Sequence, residues 1–184
     1  MNDSRIEYLR KITRSIPDFP KKGILFRDIT TIIQDRTGMQ YAVETLSELL
    51  DPSPVFDPGS IKLIGIEARG FLFAGALSGK LGGGIVLARK PGKLPYRARK
   101  KTYNLEYGHE TIEIHEDAIG MGENVVVVDD LLATGGTARA TCELVEELGG
   151  IVKKVIFLIE LTDLGGREQL SKYDVQSVFS FEGE

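Results

Sequence analysis

Four consecutive valines, residues 125–128, run without a break into Asp129, Asp130 and the small-residue segment LLATGGT. A strand with one face in water alternates apolar and polar residues. An unbroken β-branched run has to be covered on both faces. Such strands belong to the interior of a mostly parallel sheet. Other short apolar runs fit the same layer. Residues 61–66, 85–88 and 155–161 predict strands, and 175–179 predicts a further edge strand. Residues 71–81 and 137–148 predict intervening helices; the second carries Ala138, Cys142, Val145 and Leu148 on its apolar face. The expected fold class is α/β, a mostly parallel central sheet with helices on both faces.

The flanks are less regular. Residues 3–16 place Ile6, Leu9, Ile12 and Ile16 at helical spacing, and Pro17 and Pro20 end that helix. FPKKGILFRDIT reads as a loop with an apolar centre, 39–50 as a helix and 51–60 as a surface loop. Residues 102–107 and 111–115 alternate around GHE, which predicts an antiparallel β-hairpin flap.

The chain's 184 residues suit one domain. No apolar run approaches the roughly 18 residues of a membrane span, and MNDSRIEYLRKI has no secretory h-region. A single cysteine, Cys142, rules out an internal disulfide and fits a reducing, cytoplasmic setting. With two histidines beside it, a zinc cluster is not expected. Thirteen residues, RKPGKLPYRARKK at 89–101, hold seven Lys/Arg and no acid; the remainder, with 16 cationic residues against 27 acidic ones, nets −11. Nucleic-acid binding needs a broader positive face than this. The stretch suits a compact anionic ligand, or else a solvated loop.

In open α/β sheets, ligands bind beyond the carboxyl ends of the strands. The valine run delivers Asp129 and Asp130 there. One aspartate after a strand commonly caps a turn. Two adjacent ones repel, and both stay charged only beside donors or a cation. Sugar hydroxyls and Mg2+ supply these. Next, Ala133, Gly135 and Gly136 let backbone N–H groups turn inward, and a helix begins near Thr137. With the hydroxyls of Thr134 and Thr137, that is a phosphate cradle. Better-known phosphate motifs fail on spacing. GALSGKL at 75–81 falls one residue short of a P-loop, and no G-x-G-x-x-G follows a strand. Carboxylates for the 2- and 3-hydroxyls, then amides for the 5-phosphate, describe a ribose 5-phosphate.

VVVVDDLLATGGT resembles the phosphoribosyl diphosphate (PRPP) signature of the type I phosphoribosyltransferases. FPKKGILFRDIT, EARGFLFAGAL, RKPGKLP, LEYG and ELTDLGGRE follow that family's order and spacing, and RKPGKLP, LEYG and FPKKGILFRD resemble its adenine branch. The resemblance implies a type I phosphoribosyltransferase fold in one domain, 1–184. Within it, the N-terminal helix and hood span about 1–35, a flexible flap about 90–116 and the PRPP loop 125–137. It implies transfer of phosphoribosyl from PRPP to N9 of adenine, giving AMP and pyrophosphate, with Mg2+ accompanying PRPP and no assigned protein ligand to the metal. A homodimer is implied too, with Arg89 reaching the partner's diphosphate. Arg69, Lys90 and Lys93 would meet the diphosphate, with a cis peptide expected at Ala68–Arg69. Glu106 would handle the adenine proton and Tyr107 would close over PRPP. Backbone groups of Leu25 and Arg27 would read adenine, with Phe26 on the purine or in the core and Leu161 as the opposite wall. Arg97, Arg99, Lys100 and Lys101 gain no role and are expected to be solvated. Two alternatives stand beside this: a phosphoribosyltransferase for a different base, and a non-catalytic PRPP-sensing regulator.

Overall fold

A computed structural model describes residues 3–50, 60–104 and 108–182. Five parallel strands form the central sheet in the order β4-β3-β7-β8-β9: β3 is Ile61–Ile66, β4 Gly84–Ala88, β7 Asn124–Leu132, β8 Ile151–Leu161 and β9 Val175–Phe181. The valines of β7 are fully buried, as an unbroken apolar run requires. Their alternation divides them between two cores. Val125 and Val127 join Ile64, Ile66, Val155 and Phe157 against helix α5 (Gly136–Glu147). Val126 and Val128 join Leu63, Ile156 and Leu158 against α4 (Gly70–Leu81) and α3 (Arg36–Glu48). Burying one such side chain contributes about 1.5–3 kcal/mol, so this single strand ties both layers together.

The chain leaves β3 through α4 to β4 on one side, and leaves β7 through α5 to β8 on the other. β3 and β7 are neighbours, so the connections diverge between them. That divergence opens a crevice at their carboxyl ends, the usual ligand position in open α/β sheets.

Two antiparallel pairs flank the sheet. The expected hairpin is β5 (Ala98–Asn104) with β6 (His109–His115). Lys101, expected to be solvated, instead anchors β5 to α5 through Glu143 and Glu147, 3.0 and 2.7 Å away. Lys100 stays mostly exposed, as expected, while its Nζ lies 2.7 Å from buried Glu113. The N-terminal helix ends earlier than its periodicity predicts: α1 is Ser4–Ile12, and β1 (Arg14–Pro17) pairs with β2 (Leu25–Asp28). Cross-strand partners such as Ile16 and Phe26 outweigh the helical pattern there, and four of the twelve residues of FPKKGILFRDIT form strand rather than loop. Short α2 (Thr30–Gln34) precedes α3, and α6 (Gly166–Gln169) lies between β8 and β9.

Candidate active site

Two adjoining strand ends build the crevice. β7 does not stop at Val128 as its composition predicts. It continues because Asp129, Leu131 and Leu132 stay in register with Phe157, Ile159 and Glu160 of β8. Both aspartates therefore sit on a held backbone. Asp130 is buried, and the Arg69 Nε lies 2.8 Å from its Oδ2. The approach angle leaves that oxygen without a hydrogen-bond donor. Asp129 accepts the Asp130 N–H at 2.9 Å. Burial, then the charge of Asp130, push the Asp129 carboxyl well above the usual range, and Arg69 only partly offsets this. Arg69 supplies one positive charge, but the pair remains short of hydrogen-bond donors, which a diol would bring, and a cation would offset the repulsion that Arg69 leaves.

Past Leu132 the backbone bends at Ala133 and Thr134, and Gly135 caps α5 in the left-handed region at φ +80°. That conformation favours glycine. The first backbone bond across the new turn runs from the Arg139 N–H to the Gly135 carbonyl at 2.9 Å. The N–H groups of Gly136, Thr137 and Ala138 therefore have no helical acceptor, and the positive end of α5 faces the crevice. Thr134 is exposed, whereas the Thr137 hydroxyl is 2.7 Å from the Tyr103 phenol.

The basic arm is gathered by a residue that sequence reasoning missed. Glu67, directly after β3, is paired with Lys93, accepts the Lys90 N–H at 2.9 Å and lies 3.4 Å from the Arg89 Nε. Burial alone would raise its pKa. Lys93, the Lys90 amide and Arg89 outweigh burial and hold Glu67 below its ordinary value. Arg89 turns inward within its own chain, donating to the Lys93 carbonyl at 3.1 Å. Lys90 also pairs with Glu110 at 3.3 Å. The cis peptide falls one position before the expected one, at Glu67–Ala68; Arg69 itself caps α4 in ordinary helical geometry.

The hood approaches from the N-terminal side. Phe26 is half-buried rather than in the core, with the Arg69 guanidinium 5.9 Å from its ring centroid. That contact puts the hood next to the acidic pair. Pro17 of β1 is in register with Leu25 of β2, and Ser15 with Arg27. Leu25, and Arg27 two residues on, direct their backbone groups to the same side of β2. The Arg27 guanidinium stacks 4.1 Å over Phe181, and Phe181 is in register with Leu161. Phe181 is a second residue that sequence reasoning missed. Glu106 and Tyr107 lie outside the described residues.

A diol-ready acidic pair followed by an amide cradle agrees with what the chain resembles. A phosphoribosyl transferase domain model matches residues 31–182. An adenine phosphoribosyltransferase of Butyrivibrio fibrisolvens is 53% identical over 93% of this chain and 92% of its own. The chain belongs to the adenine branch of the phosphoribosyltransferase family. The crystal structure of the enzyme from Thermoanaerobacter pseudethanolicus superimposes with a TM-score of 0.89 at 48% identity, covering 96% of this chain and 99% of that one. The enzyme from Saccharomyces cerevisiae, complexed with an imino-altritol bisphosphate and adenine, gives 0.87 at 37% identity, with 95% and 98% covered. Phosphoribosyltransferases are pentosyl-transfer enzymes, and this chain is one of them.

For a phosphoribosyltransferase the metal question is one of donor chemistry. Among the described residues, no three of His, Cys, Asp and Glu gather into a metal-holding group. The buried Asp130 Oδ2 without a donor and the adjacent Asp129 fit Mg2+ carried in by a diphosphate and keeping much of its water. No all-protein cage is needed.

Proposed function

We propose that this chain transfers the 5-phosphoribosyl group of PRPP to N9 of adenine, giving AMP and pyrophosphate. The observation that carries the reading is the meeting of Arg69, Asp129, Asp130 and the loop 133–137 at the β3–β7 divergence, with Phe26 of the hood against Arg69. Asp129 and Asp130 hold the ribose 2- and 3-hydroxyls. The free amides at the start of α5, with Ala133, Thr134 and Thr137, hold the 5-phosphate. Arg69, Lys90 and Lys93 stabilise the charge that gathers on pyrophosphate as it leaves. Asp129 and Asp130 lie where Mg2+ carried by PRPP would sit, and it would neutralise part of that same charge.

The C1–N9 bond forms as the bond from C1 to the diphosphate oxygen breaks, with inversion at an oxocarbenium-like carbon. Adenine loses its N9 proton in the process, and we assign Glu106 as the carboxylate that receives it. Tyr107 closes over PRPP and limits its hydrolysis. The backbone groups of Leu25 and Arg27 read the 6-amino group and N1, with Phe26 and Leu161 as apolar walls. A 6-oxopurine sets an acceptor against a carbonyl there and leaves buried groups unpaired.

The likeness to the yeast enzyme, which was captured with adenine, supports the choice of base. The β4 edge supports a homodimer. Ile85 and Leu87 are 45% and 40% exposed there, with Leu72 of α4 at 46%, and an apolar edge of this kind calls for cover. A second copy also gives Arg89 a partner diphosphate to reach. No helix among the described residues is long and apolar enough to cross a membrane, and a cytoplasmic site of action agrees with the reduced Cys142.

The deciding experiment incubates the protein with PRPP, Mg2+ and, in turn, adenine, hypoxanthine, guanine and orotate. AMP from adenine at a rate at least about 10²-fold above the other bases is expected. Comparable turnover of another base sinks the pocket assignment. Tight PRPP binding without turnover of any base points to the regulator instead.

A further inference from the structure

The Tyr103 phenol is 5% exposed and holds two partners at once. It lies 2.9 Å from the Glu110 Oε2 and 2.7 Å from the Thr137 Oγ1. Its ring lies against the phosphate loop: a Cβ on Gly136 would sit 3.2 Å from the Tyr103 Cδ2. Burial, then the Glu110 carboxylate, push the phenol up to about 12, so it keeps its proton at neutral pH.

That single proton fixes the direction of the chain. A carboxylate can only accept, so Tyr103 donates to Glu110 and must accept from Thr137. Thr137 also has one hydroxyl proton, and here it is committed to Tyr103. In this state the hydroxyl turns a lone pair, not a donor, toward the cradle. A phosphate dianion needs the donor. When Thr137 swings its proton onto a phosphate oxygen, the Tyr103 oxygen faces a bare Thr137 oxygen. The contact is kept only if Tyr103 turns its own proton to Thr137, and that takes the donor away from Glu110.

We infer that Tyr103 is a positioning residue for the 5-phosphate, acting through Thr137: the relay Thr137–Tyr103–Glu110 runs outward in the free enzyme and reverses when phosphate binds. This rests on the loop at 133–137 being the phosphate cradle, as proposed above. Breaking the charge-assisted bond to Glu110 is the penalty for each binding event, and Glu110 keeps Lys90 as its other partner, 3.3 Å away.

The sign of the effect separates this role from simple support. If Tyr103 and Glu110 merely brace the loop, weakening their bond loosens the cradle and AMP binds less well. If the relay must reverse, weakening that bond makes reversal easier and AMP binds better. The test is a double-mutant cycle on the full chain, read by calorimetric titration with AMP. Its phosphate occupies the cradle without calling on Lys90. Glu110→Gln is expected to tighten AMP about 3–10-fold, the difference between a charge-assisted and a neutral hydrogen bond. In the Tyr103→Phe background the same change is expected to shift affinity by less than about 1.5-fold. Equal tightening in both backgrounds assigns the effect to lost negative charge and overturns the relay. Weaker binding in Glu110→Gln also overturns it, in favour of bracing. Failure of the unaltered enzyme to bind AMP removes the cradle assignment, and the relay with it.

Discussion

Gly166 opens α6 and lies directly behind the phosphate loop. An added Cβ would lie 2.3 Å from the Ala133 carbonyl oxygen and 2.7 Å from the Leu132 Cδ1, whereas real contacts essentially never fall below 3.0 Å. The approach is mutual, since a Cβ on Gly135 would meet the Gly166 carbonyl at 2.6 Å. Gly166 itself is not in the left-handed region, so alanine is unstrained in its backbone. By helix propensity alone, Gly166→Ala stabilises by up to about 1 kcal/mol. Overpacking against Ala133 and Leu132 opposes this by about 1–3 kcal/mol, and packing wins because the Ala133 oxygen is backbone and the Leu132 side chain is itself buried. Relief requires the Ala133 carbonyl to retreat by at least about 0.7 Å, the gap between the two distances just given. Misplacement by 1 Å can cost about 10² in rate, so a loss of roughly 10- to 10²-fold in kcat/KM for PRPP is expected. Steady-state kinetics with PRPP varied at saturating adenine reads it, beside a melting curve. Unchanged kcat/KM with a raised Tm would refute the reasoning, showing that Gly166 is a helix position and no brace for the loop.

Asp129→Asn is expected to abolish PRPP binding while raising Tm above about pH 5. A carboxyl whose folded pKa is raised loses stability as pH climbs past its unfolded value, so the gap over the unaltered protein closes near pH 4. A gain of about 2–4 °C per kcal/mol is the scale at this length, and a lowered Tm at pH 8 contradicts the assignment. Glu67→Gln is expected to cost about 1–2 kcal/mol at pH 7 in urea unfolding. Glu67 is depressed in the folded state, so the difference should hold above its ordinary value near 4.5, shrink as pH falls below it and be lost as pH passes through the lower folded value; a difference that does not shrink with falling pH contradicts the pairing with Lys93. Glu106→Gln is expected to lower kcat with adenine by at least about 10²-fold. Near-normal turnover in a stopped assay removes Glu106 from proton transfer.

Much of the layer structure was legible because burial writes itself into composition. Val125 to Val128 can be interior only if both faces are covered, and they are. The run of Asp129 to Thr137 was legible for the same kind of reason: local backbone chemistry, with Gly135 at positive φ and helix amides freed at its far side. The hood was misread because a four-residue strand such as β1 depends on a partner, β2, that no local pattern announces.

The sequence by itself therefore determined what depends on near neighbours along the chain: the parallel strands, the helices between them, the acidic pair and the glycine-rich turn. Only the tertiary structure decided which distant groups meet. It placed Glu67 among Lys93, Lys90 and Arg89, laid Arg27 over Phe181, and set Tyr103 between Thr137 and Glu110. Local preference comes from backbone geometry and the burial demanded by each segment. Pairings across tens of residues come from strand order and crossover, which bring chain ends to one rim of the sheet, and they cannot be read until that order exists.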